Sequence, residues 1–231
     1  MPILTLNLVV AVFVSLFFPA PGYADSIRIA IFERQSSVMV SSPDGILVKE
    51  PRGKAWRQYN HEIAIAPVSG GAKVNGKRYS MQVVTIQGKS GTVKINDLWV
   101  KGLVKIVKQR GRFLVVNHLD IEDYLVGVIL GEVPSAWPLE SLKVQAIASR
   151  TYALYQQARK RYIHYDLVAT TMDQVYKGAA SSNPTAFERR SRAKVVKAVN
   201  ATRGQFMAFN GRPILAAFHS TAAGSTEDAL Q

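Results

Sequence analysis

At 231 residues, 48% of them hydrophobic, the chain is long enough for one large domain or two small ones and apolar enough to bury a core. It contains no cysteine, which excludes disulfides, thiol catalysis and cysteine-ligated metal. Its formal net charge of +13 fits a polyanionic partner; the alternative is a solvated basic surface with no single partner.

Residues 1–24 read as a secretory signal peptide. The apolar run 8–18 has the length of a signal core, and Gly22-Tyr23-Ala24 offers small residues for cleavage, so a mature chain is expected to begin at Asp25. The first seven residues lack Lys and Arg, which keeps an uncleaved membrane anchor open, although Pro19 and Pro21 oppose a continuous spanning helix. The leader carries no charge, so its removal leaves +13 unchanged. For a basic chain, nucleic acid is the usual partner. The export signal favours cell-wall glycan or another anionic envelope polymer instead, and no nucleic acid is expected.

After the leader, residues 26–32 and 38–41 alternate apolar and polar side chains as strands do, with a turn at Pro43-Asp44-Gly45. Residues 63–67, 79–86 and 93–95, with Val74, continue the pattern between glycine-rich breaks. Residues 100–108 and 112–117 read as a hairpin about Gly111. The region 25–118 is therefore predicted to be β-rich, with no repeat of fixed period. A short helix is predicted over 119–130, stopped by Gly131. Glu132 then falls in a loop, and Pro138 opens a helix running to about Tyr162. Residues 168–178 read as loop and strand. Asn183-Pro184 reads as a cap and first turn, for a helix ending near Gly204. Asn210-Gly211 marks a closing hairpin with a type I′ turn. The fold class is α+β: a β-rich N-terminal part and a mixed helix and hairpin core over 119–231.

The helix after Pro138 is unusual. Lys143 and Arg150 fall on the same side as Leu139, Ile147 and Leu154, while alanines, valine and tyrosines fill most of the other. A helix apolar all round is usually buried, so its charges need partners or a cleft. They either serve a site or meet structural acids and solvent. Glu132 itself sits among Val128, Ile129, Leu130, Val133, Pro134 and Trp137. Apolar neighbours favour the protonated carboxyl that a general acid needs, and nearby cations favour the carboxylate; the sequence leaves that balance open.

Three ordered blocks carry a family resemblance. The first is Asn117-His118-Leu119-Asp120-Ile121-Glu122-Asp123-Tyr124-Leu125-Val126-Gly127-Val128 with the following stretch 132–154. The second is Asp173-Gln174-Val175-Tyr176-Lys177-Gly178, and the third begins Ala217-Phe218-His219-Ser220-Thr221. Together these closely resemble the sporulation stage II protein D / amidase-enhancer (SpoIID/LytB) family. The resemblance implies an exported peptidoglycan-remodelling protein, a lytic transglycosylase that cleaves glycan strands, preferably peptide-stripped, with Glu132 as general acid/base. It also implies substrate-binding roles for Lys143, Gln145, Arg150, Gln174, Tyr176, His219 and Ser220. For Gln174 and Tyr176 the alternative is strand packing. Two departures stand out: Ala222 and Ala223 occupy positions where glycine is common, and the chain ends at Gln231, where family domains run on, so a shortened core is expected. The rival reading is a non-catalytic peptidoglycan-binding enhancer of a cell-wall amidase.

No metal or other cofactor is expected. His61, His118, His164 and His219 are dispersed, and there is no HExxH pair. Gly88-Lys89-Ser90 echoes a phosphate loop, but Val83 stands where its first glycine belongs.

Overall fold

A computed structural model describes residues 26–49 and 55–218 of the protein. Strands dominate up to residue 120: β1 (Ser26–Gln35), β2 (Val38–Ser41), β3 (Ile46–Lys49), β4 (Trp56–Tyr59), β5 (Glu62–Val68), β6 (Gly71–Val74), β7 (Lys77–Tyr79), β8 (Val83–Gly88), β9 (Thr92–Ile95), β10 (Leu98–Lys101), β11 (Leu103–Gln109) and β12 (Arg112–Asp120). Then come α1 (Ile121–Glu132), α2 (Leu139–Arg159), β13 (Leu167–Val168), α3 (Ala186–Ala201) and the short pair β14 (Ala208–Phe209) and β15 (Arg212–Pro213). The architecture is α+β and rich in strand, as the alternation pattern indicates.

Two sheets hold the N-terminal strands. One runs β13-β1-β12-β11-β8-β3-β4, the other β10-β9-β2-β5-β6-β7. All pairings are antiparallel except β1 with β13. In β1, Ile27, Ile29 and Ile31 point to one side, where they join Val38, Val40, Ile63, Ile65, Val93 and Ile95 of the other sheet in a single apolar cluster. Period-two alternation thus puts both sheets' inner faces into one core. The same cluster takes in Tyr124, Leu125, Val128 and Ile129 of α1, Leu142, Ala146, Ala153 and Leu154 of α2, and Val195, Ala198 and Val199 of α3. The sequence-based boundary at 118/119 lies inside β12, and this core is common to both sides of it.

The structure revises several predicted elements. The run 100–108 is broken at Gly102, whose φ is +79° and where a Cβ would lie 2.3 Å from the His118 carbonyl oxygen. The break sends β10 to one sheet and β11 to the other. Two strands, β3 and β4, were not predicted. Leu119 and Asp120 end β12 rather than open a helix, and the Asp120 carboxylate caps α1 by accepting the Glu122 and Asp123 N–H groups at 2.8 and 3.3 Å. Pro138 precedes α2 as its cap residue, and α2 ends at Arg159 with Lys160 left-handed. For α3 the cap is Thr185, not Asn183: the Glu188 N–H donates to Thr185 Oγ1 and the Thr185 N–H to Glu188 Oε2, a reciprocal box that leaves Pro184 outside the helix. The final hairpin keeps its turn, with Asn210 and Gly211 at φ of 49° and 74°.

Candidate active site

The site begins with two glycines in α1. Gly127 and Gly131 lie four residues apart, on one helix face. A Cβ on Gly127 would lie 2.4 Å from the Tyr176 ring, and one on Gly131 would lie 2.4 Å from the Val175 carbonyl oxygen. The segment 174–178 therefore lies directly against this bare strip of helix. Gly131 was predicted to stop the helix, but it is a packing residue inside it. The helix runs one residue further, to Glu132, which sits in the last turn of α1 rather than in a loop.

Packing then fixes the carboxylate. The Lys177 N–H donates to the Gly127 carbonyl at 3.1 Å. The Val175 N–H donates to Glu132 Oε1 at 2.6 Å, a short charge-assisted bond. Glu132 Oε2 has no hydrogen-bond donor among the described residues. Gln174 and Tyr176, on either side of Val175, turn into the core. Gln174 is fully buried; it accepts from the Tyr124 hydroxyl at 3.0 Å and donates to the Ser149 carbonyl at 3.4 Å. The Tyr176 hydroxyl donates to Asn117 Oδ1 at 3.4 Å, and its ring meets that of Tyr124 at 5.3 Å. Burial pushes both tyrosines well above their ordinary value, so both stay neutral hydrogen-bonding groups.

Glu132 lines a cavity of about 790 Å³. One wall is the end of α1 and the loop after it, up to Ser135. Another is residues 177–184, and the third is the face of α3 from Phe187 to Val196. The loop is pinned to α3: the Ser135 hydroxyl donates to Ser191 Oγ at 3.0 Å, and the Lys194 ammonium donates to the Ala136 carbonyl at 3.2 Å and to that of Trp137. The lining is cationic, with Lys177, Arg189 and Arg192 against Glu132 and Glu188. Glu188 is tied up in the helix cap, and its bonds from Thr185 hold its carboxyl below the usual range. Arg192 is anchored by a 3.1 Å bond to the Gly178 carbonyl.

Of the described residues given a site role from sequence, Glu132 alone lines this cavity. Arg150 is 1% exposed and grips Glu122 with two parallel bonds, Nε to Oε1 at 3.0 Å and Nη2 to Oε2 at 2.6 Å. Its Nη1 donates to the Gln205 carbonyl at 2.9 Å. Lys143 pairs with Glu140 at 2.8 Å on the surface of α2. Both cations meet acids of the protein. Gln145 donates to Ser149 Oγ at 3.2 Å. Gln174 and Tyr176 pack beneath the cavity, and what touches Glu132 is the backbone between them. His219 and Ser220 lie outside the described residues, as does the leader. Sequence reasoning did not assign Lys177, Phe187, Arg189 or Arg192 to the site. The available signals were the basic run 189–197 and the Thr185-x-x-Glu188 cap spacing, which together mark a helix that begins with a cationic face.

Residues 109–209 match the family model described as stage II sporulation protein, SpoIID. Over these residues the chain is similar to the SpoIID/LytB family. Stage II sporulation protein D of Bacillus subtilis is 35% identical over 121 residues, 49% of this chain and 35% of that protein. The amidase enhancer of Bacillus subtilis is 36% identical over 103 residues, 45% of this chain and 12% of that protein. An uncharacterized protein of Brachyspira hyodysenteriae is 30% identical over 200 residues, 82% of this chain and 52% of its own length. The matches therefore span about half, or less, of these relatives. The SpoIID match contains all of α1, α2 and α3, and with them the whole lining of the cavity.

Proposed function

We propose that this protein cleaves peptidoglycan glycan strands by lytic transglycosylation, with Glu132 as general acid and then general base. The observation that carries this reading is the fixed carboxylate in the cavity: Oε1 is held by the Val175 N–H, and Glu132 lines a space large enough for a saccharide. Ordinary glycoside hydrolysis uses two carboxylates at a defined separation. The second carboxylate in this lining, Glu188, is committed to the cap of α3. A one-carboxylate reaction suits such a site. The Glu132 carboxylic acid gives its proton to the glycosidic oxygen as the bond from the muramyl anomeric carbon to that oxygen breaks. The muramyl C6 hydroxyl bonds to that carbon and yields its proton to the Glu132 carboxylate. No water enters, the acid is regenerated, and the product ends are 1,6-anhydro-muramyl.

Charge supports a preference for peptide-stripped strands. Each muramyl unit without its stem peptide bears a free lactyl carboxylate. The lining offers Lys177, Arg189 and Arg192, on a chain of net charge +13. Such a substrate lies outside the cytoplasmic membrane, which fits the leader read at 1–24. No helix among the described residues is long and apolar enough to cross a membrane.

A second reading rests on the amidase-enhancer relative: the same cavity holds a strand without cutting it, and the protein recruits or stimulates a cell-wall amidase. The two separate when purified protein is given purified peptide-free strands. Cleavage without amidase that is lost in Glu132→Gln supports the enzyme. Gln is nearly isosteric but cannot supply the proton, and losing an acid/base group costs about 10²–10⁴-fold in rate. Equal cleavage by the folded Gln variant removes Glu132 from the mechanism, and activity that appears only with amidase favours the enhancer.

A further inference from the structure

The N-terminal half of α3 contains a large apolar side chain that the fold does not use. Helix α3 buries Val195, Ala198 and Val199, yet Phe187, its bulkiest apolar residue, is 69% exposed. An isolated exposed Phe is ordinary on a surface. This one lines the cavity that contains Glu132, in company with Val196, which is also partly exposed. The two are about 13 Å apart along the helix axis and about half a turn apart around it, so they meet the cavity separately and Phe187 stands as a single aromatic group at the start of the helix. Lys177 and Arg189 belong to the same lining. Lys177 has no acidic partner among the described residues. The Arg189 guanidinium donates to the Pro184 carbonyl through Nη1, which steadies it beside the first turn of α3.

An exposed aromatic ring that lines one cavity with cations and a fixed acid matches one kind of ligand. A pyranose ring presents axial C–H groups on one face, and these meet the negative face of an aromatic ring. A carboxylate attached to that sugar would be met by ammonium or guanidinium groups nearby. We propose that Phe187 is a stacking platform for a muramyl ring of the bound strand, with Lys177 and Arg189 pairing with its lactyl carboxylate. This deepens the glycan reading above and rests on it for the identity of the ligand.

The experiment measures affinity for purified peptide-free strands in the Glu132→Gln full-length protein, so that the ligand is not consumed. Phe187→Ala should weaken binding by about 2–12-fold, the size of an aromatic contact worth about 0.5–1.5 kcal/mol. Phe187→Trp should restore it, and the thermal midpoint should stay where it was, because the side chain is largely in solvent. Replacing both Lys177 and Arg189 by Gln should flatten the fall of affinity with salt. Unchanged affinity in Phe187→Ala, or no binding of strands by the parent protein, overturns the platform; an unchanged salt slope overturns the cation pairing. Failure of the transglycosylase reading looks different: protein with Glu132 intact then binds strands in a Phe187-dependent way but never cuts them.

Discussion

At the scale of single residues, the buried ion pair that holds the fold is distinct from Glu132, which is half-buried and faces the cavity. Arg150 and Glu122 form a closed pair at the junction of α1 and α2, with side chains 2% and 8% exposed. Removing one partner of such a pair leaves an uncompensated buried charge, at a cost of about 3–5 kcal/mol. Arg150→Met should therefore lower stability by that order in denaturant unfolding, and Glu122→Gln added to it should recover part of the loss. Full stability in Arg150→Met, with weakened glycan binding instead, would return Arg150 to the substrate. His118 supplies a pH test. Burial, then Lys105 and Arg28, lower its pKa from 6.5 to about 4, against a smaller opposing effect of Asp166. Between those two values the unfolded chain binds a proton that the folded chain refuses, so stability falls as pH drops from 6.5 towards 4. His118→Gln should remove part of that fall when the thermal midpoint is followed across the window; an identical slope in the variant would rule His118 out as its source.

At the scale of elements, the helix–segment contact on α1 positions Glu132, the proposed acid/base. Gly131→Ala would place a methyl group 2.4 Å from the Val175 carbonyl oxygen, and the obstacle is backbone, so the segment 174–178 must move. Overpacking of this kind costs about 1–3 kcal/mol. The same movement pulls the Val175 N–H away from Glu132. Displacement of about 1 Å at a catalytic group costs on the order of 10²-fold. Folded Gly131→Ala protein should keep its affinity for peptide-free strands and lose cleavage rate, read as a fall in kcat with little change in KM. Wild-type kcat would show that the contact does not position Glu132. This contact also shows where sequence reading stops. A glycine that ends a helix and one that lets another segment approach look alike along the chain, and what separates them here is a partner 44 residues away, at position 175. The break at Gly102 was hidden for a similar reason, because its cause is the His118 carbonyl on another strand. By contrast β2 and the Asn210-Gly211 turn were legible, since alternation and positive φ are local demands. The edge strand β4 has no alternation to read: Trp56, Arg57 and Gln58 are all exposed.

At the scale of the whole molecule, two sheets and three helices share one core, and the cavity lies among the helical elements and the segment docked on α1. The general plan, β-rich first and helical later, follows from patterning in the sequence, and Glu132 was marked by its resemblance to a family motif. The cationic wall was not, because Arg189 and Arg192 belong to a basic run that by itself fits any polyanionic partner, and only the folding of α3 against the loop 133–137 brings them into one lining with Glu132. The central claim is that this cavity breaks glycan strands without water. Mass spectrometry of the ends released from peptide-free strands by the purified protein, with no amidase present, tests it most directly. We expect 1,6-anhydro-muramyl ends, lighter than hydrolysed ends by one water. Hydrolysed ends, or intact strands after incubation with protein that demonstrably binds them, would contradict it.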